Sequence, residues 1–168
     1  MFQVREDDLS SDETRELLVL HFRGMHESSP PGSVFALDLS GLQQPNVTVW
    51  TAWLGDNIAS VCALKMLEGG DGEVKSMRTS PAFARQGAGS AILEHVIAIA
   101  KARGAKQLSL ETGSGPAFDA ALTLYRRRGF KDGDAFSDYS RSAFNQFLHL
   151  DLAADGTAPV SPTGSPAV

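Results

Sequence analysis

The sequence predicts one α/β domain in which a mixed β-sheet carries helices on both faces. At 168 residues, with 42% hydrophobic and 21% charged residues, the chain can bury a single sizeable core. Strand-like segments come early and are joined by short turns, which indicates antiparallel pairing. Strands alternate with helical segments later, which is typical of parallel crossovers. We expect the domain to cover residues 1–152 and a flexible tail to follow at 153–168, because the tail is rich in Gly, Pro, Ser and Thr.

The first predicted elements are a strand at 2–6 and an amphipathic helix. Ser10 precedes Glu13 at the spacing of a capping box, and apolar residues then recur at helical spacing over 17–25. The helix is predicted to end before Pro30, because proline lacks an amide donor and disfavours helical dihedral angles in the residue before it.

Three strands are predicted next, after a loop with a short helical piece at 33–39. They lie at 47–54, 58–67 and 73–79. The first two are rich in β-branched and aromatic residues, and turns containing Gly, Asp and Asn separate the three segments. The three strands should therefore form an antiparallel meander.

The second half of the chain is predicted to alternate helix and strand. A helix at 87–103 is followed by Gly104, in the position where a left-handed residue commonly closes a helix. A strand at 107–110, a helix at 116–128 that begins with proline, and a last strand at 144–152 complete the order.

Composition and charge exclude several classes of function. A net charge of −5 argues against a nucleic-acid partner. The longest apolar stretch, 88–100, is shorter than the roughly 20 residues that a membrane span needs. The first residues lack the pattern of an export signal, so we expect a cytoplasmic protein without a membrane partner. Cys62 is the only cysteine and the four histidines are scattered, so neither a disulfide framework nor a metal site is expected.

A glycine-containing turn, Gly87-Ala88-Gly89, opens the predicted central helix. Residues without a Cβ let backbone amides approach a ligand closely, and a helix amino terminus offers unpaired N–H groups to an anion. A diphosphate fits this chemistry. Tight packing would explain two such glycines equally well.

Two longer motifs resemble those of the GNAT acetyltransferase superfamily. The segment from Met77 to Leu93 resembles its motif A, and the segment from Ala121 to Phe130 resembles its motif B. The resemblance covers residues 47–130 closely. It implies the GNAT acyl-CoA N-acyltransferase fold, acetyl-CoA as cosubstrate, and transfer of an acetyl group to the amine of a small molecule. A homodimer is compatible with the behaviour of this family.

The resemblance also implies which residues contact the cofactor, since the strand before the loop binds the pantetheine arm and the loop binds the pyrophosphate in that family. The residues so assigned are Met77, Arg78, Thr79, Arg85, Gln86, Gly87, Ala88, Gly89, Ser90, Phe118 and Ala121. Two positions depart from the family pattern. Ala84 stands where the loop pattern has Arg or Gln, and Phe118 stands where many members have Asn.

Two catalytic residues follow from the same resemblance. Glu73 precedes Gly87 by the offset of the general-base glutamate in histone-modifying members, and the motif B residue Tyr125 is placed to protonate the leaving thiolate. The alternatives are that Glu73 is a solvent-facing strand end and that Tyr125 is a core tyrosine. Lys75 shares the strand face of Glu73 and could pair with it, which would weaken its basicity. The amide of Met77 could polarise the thioester carbonyl.

The acceptor pocket is expected to include Glu111, Asp138 and Tyr139, unless these are ordinary surface or packing residues. Two alternatives to an active enzyme remain open from the sequence. The first is a non-catalytic module that binds acyl-CoA, and the second is a phosphate-binding domain unrelated to coenzyme A.

Overall fold

The computed structural model describes residues 1–153, and within them seven strands form one sheet in the order β1-β2-β3-β4-β5-β7-β6. The strands are β1 (Gln3–Glu6), β2 (Val47–Leu54), β3 (Asn57–Met66), β4 (Gly72–Thr79), β5 (Gln107–Thr112), β6 (Lys131–Asp132) and β7 (Gln146–Asp151). The helices are α1 (Asp12–Ser28), α2 (Leu39–Leu42), α3 (Ala88–Ala102) and α4 (Asp119–Arg128), with short 3₁₀ turns at Pro81–Phe83 and Pro116–Phe118. The predicted tail lies outside the described residues except for Ala153.

The sheet is mixed, as predicted. The pairs β1–β2, β2–β3 and β3–β4 are antiparallel, and so are β5–β7 and β6–β7. The parallel pair is β4 and β5, which α3 connects. A helical crossover is the usual way to join parallel neighbours, because a tight turn cannot return the chain to the starting edge.

Helices cover both faces of the sheet, as the side chains of β3, which point alternately to one face and the other, show most directly. Val61 and Ala63 face α1 and pack with Leu17, whereas Cys62 and Leu64 face α3 and pack with its apolar side. The buried residues of α3 recur every three or four positions, which places them on one stripe. Gly104 has φ +86 and closes α3, as predicted.

Several local predictions were wrong. Ser11, not Ser10, caps α1, since its Oγ accepts from the amide of Thr14 while Ser10 donates to Asp8. The short helix lies at Leu39–Leu42, after Asp38 as its cap, and not at 33–39. The two-residue strand β6 was not predicted. Among residues 1–153, no helix combines the length and the apolar composition that crossing a membrane requires.

Candidate active site

A cleft opens through the sheet where β4 and β5 separate. The two strands pair only at Gly72–Leu108 and Glu73–Ser109, although each runs on toward its carboxyl end. The β3–β4 register also shifts between Val61 and Ala63, and Ser76 in β4 has φ +54, the left-handed region. Within the described residues, the edge of β4 that faces β5 is therefore unpaired beyond Glu73. The cleft has a volume of about 1020 Å³.

The amino terminus of α3 borders this cleft and leaves its amides open. Gly87 is the N-cap residue, at φ +87, and no side chain caps the helix. The first helical hydrogen bond runs from Ala91 N to Gly87 O at 3.0 Å. Within residues 1–153, the amides of the four residues Gly87 to Ser90 donate to no other group. Unpaired amide donors at the start of a helix are the groups that an anion can accept from.

The two glycines of this turn have different physical roles. Gly87 supplies a left-handed backbone that a residue with a Cβ adopts only with strain. Gly89 allows close packing, because a Cβ there would lie 3.2 Å from Leu124 Cδ2 and 3.3 Å from Thr79 Oγ1. The tight-packing explanation considered for the sequence therefore applies to Gly89.

The cleft brings together nearly all the residues assigned to the cofactor. Its lining contains Met77, Arg78, Thr79, Arg85, Gly87, Ala88, Gly89, Ser90, Phe118 and Ala121. Gln86 does not line it, since its side-chain amide donates to Ala82 O. Phe118 is buried against Phe144, with ring centroids 5.6 Å apart, so it forms part of an apolar wall.

Arg78 extends to the α1 side of the sheet, away from the start of α3. Its Nε donates to Nδ1 of His21 at 3.1 Å, and its Nη2 lies 3.5 Å from His21 O. Gly24 makes room for the guanidinium, because a Cβ there would stand 2.8 Å from Nη2. Burial, and then the charge of Arg78, lower the pKa of His21 to about 4. The imidazole is therefore neutral and accepts a hydrogen bond from the cation.

Tyr125 on α4 lines the cleft and is 5% exposed. Its ring packs on Phe130, with centroids 5.6 Å apart. Burial, followed by the nearby thiol of Cys62, raises the pKa of the Tyr125 phenol above its usual value of 10. Its hydroxyl makes no hydrogen bond with a described residue, so a protonated phenol is available to a ligand.

Glu73 belongs to a buried cluster with Lys75 and Tyr139. Its carboxylate is 1% exposed, so the alternative of a solvent-facing strand end is wrong. Oε2 of Glu73 accepts from the Tyr139 hydroxyl at 2.6 Å and from Lys75 Nζ at 3.3 Å. Lys75 Nζ also donates to the Tyr139 oxygen at 2.7 Å. The expected pairing of Lys75 with Glu73 is confirmed.

Two features of the site could not be predicted fully from the sequence. Tyr139 was expected in the acceptor pocket, but it does not line the cleft and instead donates to Glu73, which does. This hydrogen bond joins residues far apart in the chain, so no local pattern in the sequence indicates it. Ser76 was not singled out, yet its buried Oγ has no hydrogen-bond partner and borders the cleft. Asp138 is exposed and does not line the cleft. Among the described residues, no three His, Cys, Asp or Glu side chains form a group that could hold a metal ion.

Known proteins are similar to this chain in sequence and in fold. The model of the acetyltransferase (GNAT) family matches residues 11–130. An uncharacterized N-acetyltransferase of Escherichia coli K12, YedL, is 41% identical over 95% of this chain and 100% of its own length. A putative acyl-CoA N-acyltransferase of Klebsiella pneumoniae has the same fold with a TM-score of 0.76, at 26% identity over 90% of this chain and 98% of its own. A Bacillus subtilis acetyltransferase solved in complex with CoA has a TM-score of 0.67, at 21% identity over 90% and 99%.

The splayed sheet, the open helix start and these relatives define an acetyltransferase. The chain belongs to the GNAT acetyltransferase family. Membership in this family excludes the alternative of a phosphate-binding domain unrelated to coenzyme A.

Proposed function

We propose that this enzyme transfers an acetyl group from acetyl-CoA to the amine of a small molecule by direct attack. One observation carries the proposal. A single cleft runs from the open amides of α3, through the gap between β4 and β5, to the cluster around Glu73 on the other side of the sheet. Such a passage lets a long cosubstrate and an acceptor meet from opposite faces.

The described residues fit coenzyme A. The amides from Gly87 to Ser90 would hold the diphosphate, with Arg85 beside them as a cation. The free edge of β4 at Met77 and Thr79 would hydrogen-bond the pantetheine arm. The unpartnered Oγ of Ser76 offers one more polar contact, since a buried hydroxyl without a partner is costly. The complex of the Bacillus subtilis acetyltransferase with CoA supports this use of the fold.

Bound acetyl-CoA supplies an acetyl thioester, and the enzyme must supply a base for the amine. Glu73 is the proposed base. Its Oε2 is occupied by Lys75 and Tyr139, whereas Oε1 accepts no hydrogen bond from a described residue. Oε1 is therefore the atom that would accept the proton, either directly or through a water molecule.

Tyr125 is the proposed donor to the leaving sulfur. A thiol has a pKa of about 8.5, well below that of a buried phenol. Full proton transfer from Tyr125 is therefore uphill, and the phenol would act chiefly as a hydrogen-bond donor that stabilises the developing negative charge. The amide of Met77 would polarise the carbonyl in the same manner.

Three measurements test the proposal. Coenzyme A at a hundred times its dissociation constant should stabilise the protein by about 2.7 kcal/mol, seen as a rise in Tm. An amine panel with acetyl-CoA should then release free thiol in an amine-dependent way. Glu73→Gln should lower kcat strongly, while Glu16→Gln, a change at an exposed position on α1, should not.

The outcomes separate the alternatives. Strong stabilisation by CoA without turnover of any amine would identify a non-catalytic acyl-CoA-binding module. Absence of stabilisation would overturn the proposed cofactor site. The cytoplasmic location and the homodimer remain predictions.

A further inference from the structure

Glu111 presents a second carboxylate to the cleft, beside the proposed base. Glu73 pairs with Ser109 across β4 and β5, so Glu111, two residues further on, lies on the same face as Glu73 and level with Lys75. Glu111 lines the cleft and is half-buried. It accepts no hydrogen bond from a described residue.

When Glu111 is ionised, the charges around it leave one negative charge in excess. Glu73 and Glu111 are two carboxylates, and the nearby cation is Lys75, whose Nζ is already bonded to Glu73 and to the oxygen of Tyr139. Burial raises the pKa of Glu111 to about 7, Lys75 opposes this shift and Glu73 adds to it. Burial, and then Glu73, keep the pKa of Tyr139 above its ordinary value, so the phenol is neutral. A cation from a ligand would complete this charge balance.

An aromatic side chain borders the same part of the cleft. Phe35, in the segment between α1 and α2, lines the cleft and is one of the exposed large apolar residues. Its ring stands edge-on to that of Tyr139, with centroids 5.2 Å apart. Tyr139 therefore contacts both the carboxylate of Glu73 and the ring of Phe35. The apolar surface of Phe35 suits the hydrocarbon part of an amine better than a strongly hydrated group.

We propose that Glu111 binds the ammonium group of the acceptor, and that the acceptor is a primary amine whose apolar or aromatic body packs against Phe35. The inference rests on the proposed function, because it assigns the acceptor side of the same cleft. Glu111 is a specificity-determining residue here: it selects cations over neutral molecules of equal shape. Glu73 keeps the role of proton acceptor.

The experiment compares binding of 2-phenylethylamine with that of 2-phenylethanol, its neutral counterpart, to the protein saturated with CoA. Calorimetry should show the amine bound at least about tenfold more tightly than the alcohol, as expected for a partly buried ion pair. Glu111→Gln should remove the difference, Glu111→Asp should retain part of it, and Glu16→Gln should leave it unchanged.

A pH series adds a readout that a merely structural role would not move. The probe stays cationic near neutrality, as a lysine amine does. Affinity of the wild type for the amine should fall about tenfold from pH 8 to pH 6, as Glu111 takes up a proton. Glu111→Gln should bind the amine equally at both pH values.

The results separate this inference from the proposed function, because binding needs no turnover. A wild type that binds the alcohol as well as the amine, or a Glu111→Gln variant that keeps the preference, would overturn the role of Glu111. Preferential amine binding without thiol release from any amine would overturn the proposed catalysis and leave the ammonium site standing.

Discussion

Replacement of His21 by glutamine should make the protein less sensitive to acid. In the folded state His21 is 7% exposed, and its Nδ1 accepts from Arg78 Nε. Its pKa is about 4, against 6.5 for a free side chain. Below pH 6.5 the imidazole of the unfolded chain therefore takes up a proton, whereas the buried imidazole of the folded protein stays neutral. The contribution of His21 to the unfolding free energy is complete above pH 6.5 and is lost as the pH falls toward 4. Glutamine has no such proton to take up.

The size of the effect follows from these two pKa values. Going from about pH 7.5 to about pH 5, the wild type should lose about 2 kcal/mol of unfolding free energy through His21 alone. The comparison must be between variants, because Glu111 acts in the opposite direction. Its pKa is raised from 4.5 to about 7, so the folded protein holds a proton in that window that the unfolded chain has released. This contribution to stability shrinks as pH rises.

Urea denaturation at the two pH values measures the difference. Between these two pH values, the change in the unfolding free energy of His21→Gln should be about 2 kcal/mol more favourable to the folded state at the lower pH than that of the wild type. His26→Gln, the same change at an exposed position of α1, should keep the wild-type dependence. A His21→Gln curve within about 0.5 kcal/mol of the wild-type dependence would refute the assignment of a neutral imidazole beside Arg78.

Three further predictions follow from the cleft. Tyr125→Phe should lower kcat by about a hundredfold, because it removes the hydrogen-bond donor that stabilises the leaving sulfur. Tm and the KM for acetyl-CoA should be unchanged, since the hydroxyl has no partner among the described residues; unaltered kcat would remove Tyr125 from the mechanism. Ser90→Glu should weaken CoA binding by about tenfold, since a carboxylate in the first turn of α3 repels a diphosphate, yet it should leave Tm equal or higher. Ser90→Gln is the control, and equal CoA affinities of the two variants would contradict an anion site there. Lys75→Met should destabilise the protein by about 3 kcal/mol, because it leaves the buried carboxylate of Glu73 without its cation. Adding Glu73→Gln should restore most of the lost unfolding free energy, as measured by urea denaturation; a double variant no more stable than Lys75→Met would argue against the ion pair.

The local sequence determined most of the fold. Periodic apolar residues fixed α1 and α3, and β-branched strands with glycine turns fixed the meander from β2 to β4, because these patterns act over a few neighbouring residues. The Gly-x-Gly turn located the uncapped start of α3 for the same reason, since a left-handed Gly87 at a helix start is a local conformation. Motifs in the sequence also pointed to the family to which the chain belongs.

Only the tertiary structure decided how Glu73, Tyr139, Arg78 and Glu111 are arranged. Glu73 and Tyr139 lie far apart in sequence, and their hydrogen bond depends on how the segment before β7 folds back over the sheet. The direction of Arg78, toward His21 and away from the α3 amides, depends on the packing of α1. The unpaired carboxylate of Glu111 arises where β4 and β5 part, because burial and the neighbouring charges of two separate strands, not any local pattern, determine its environment.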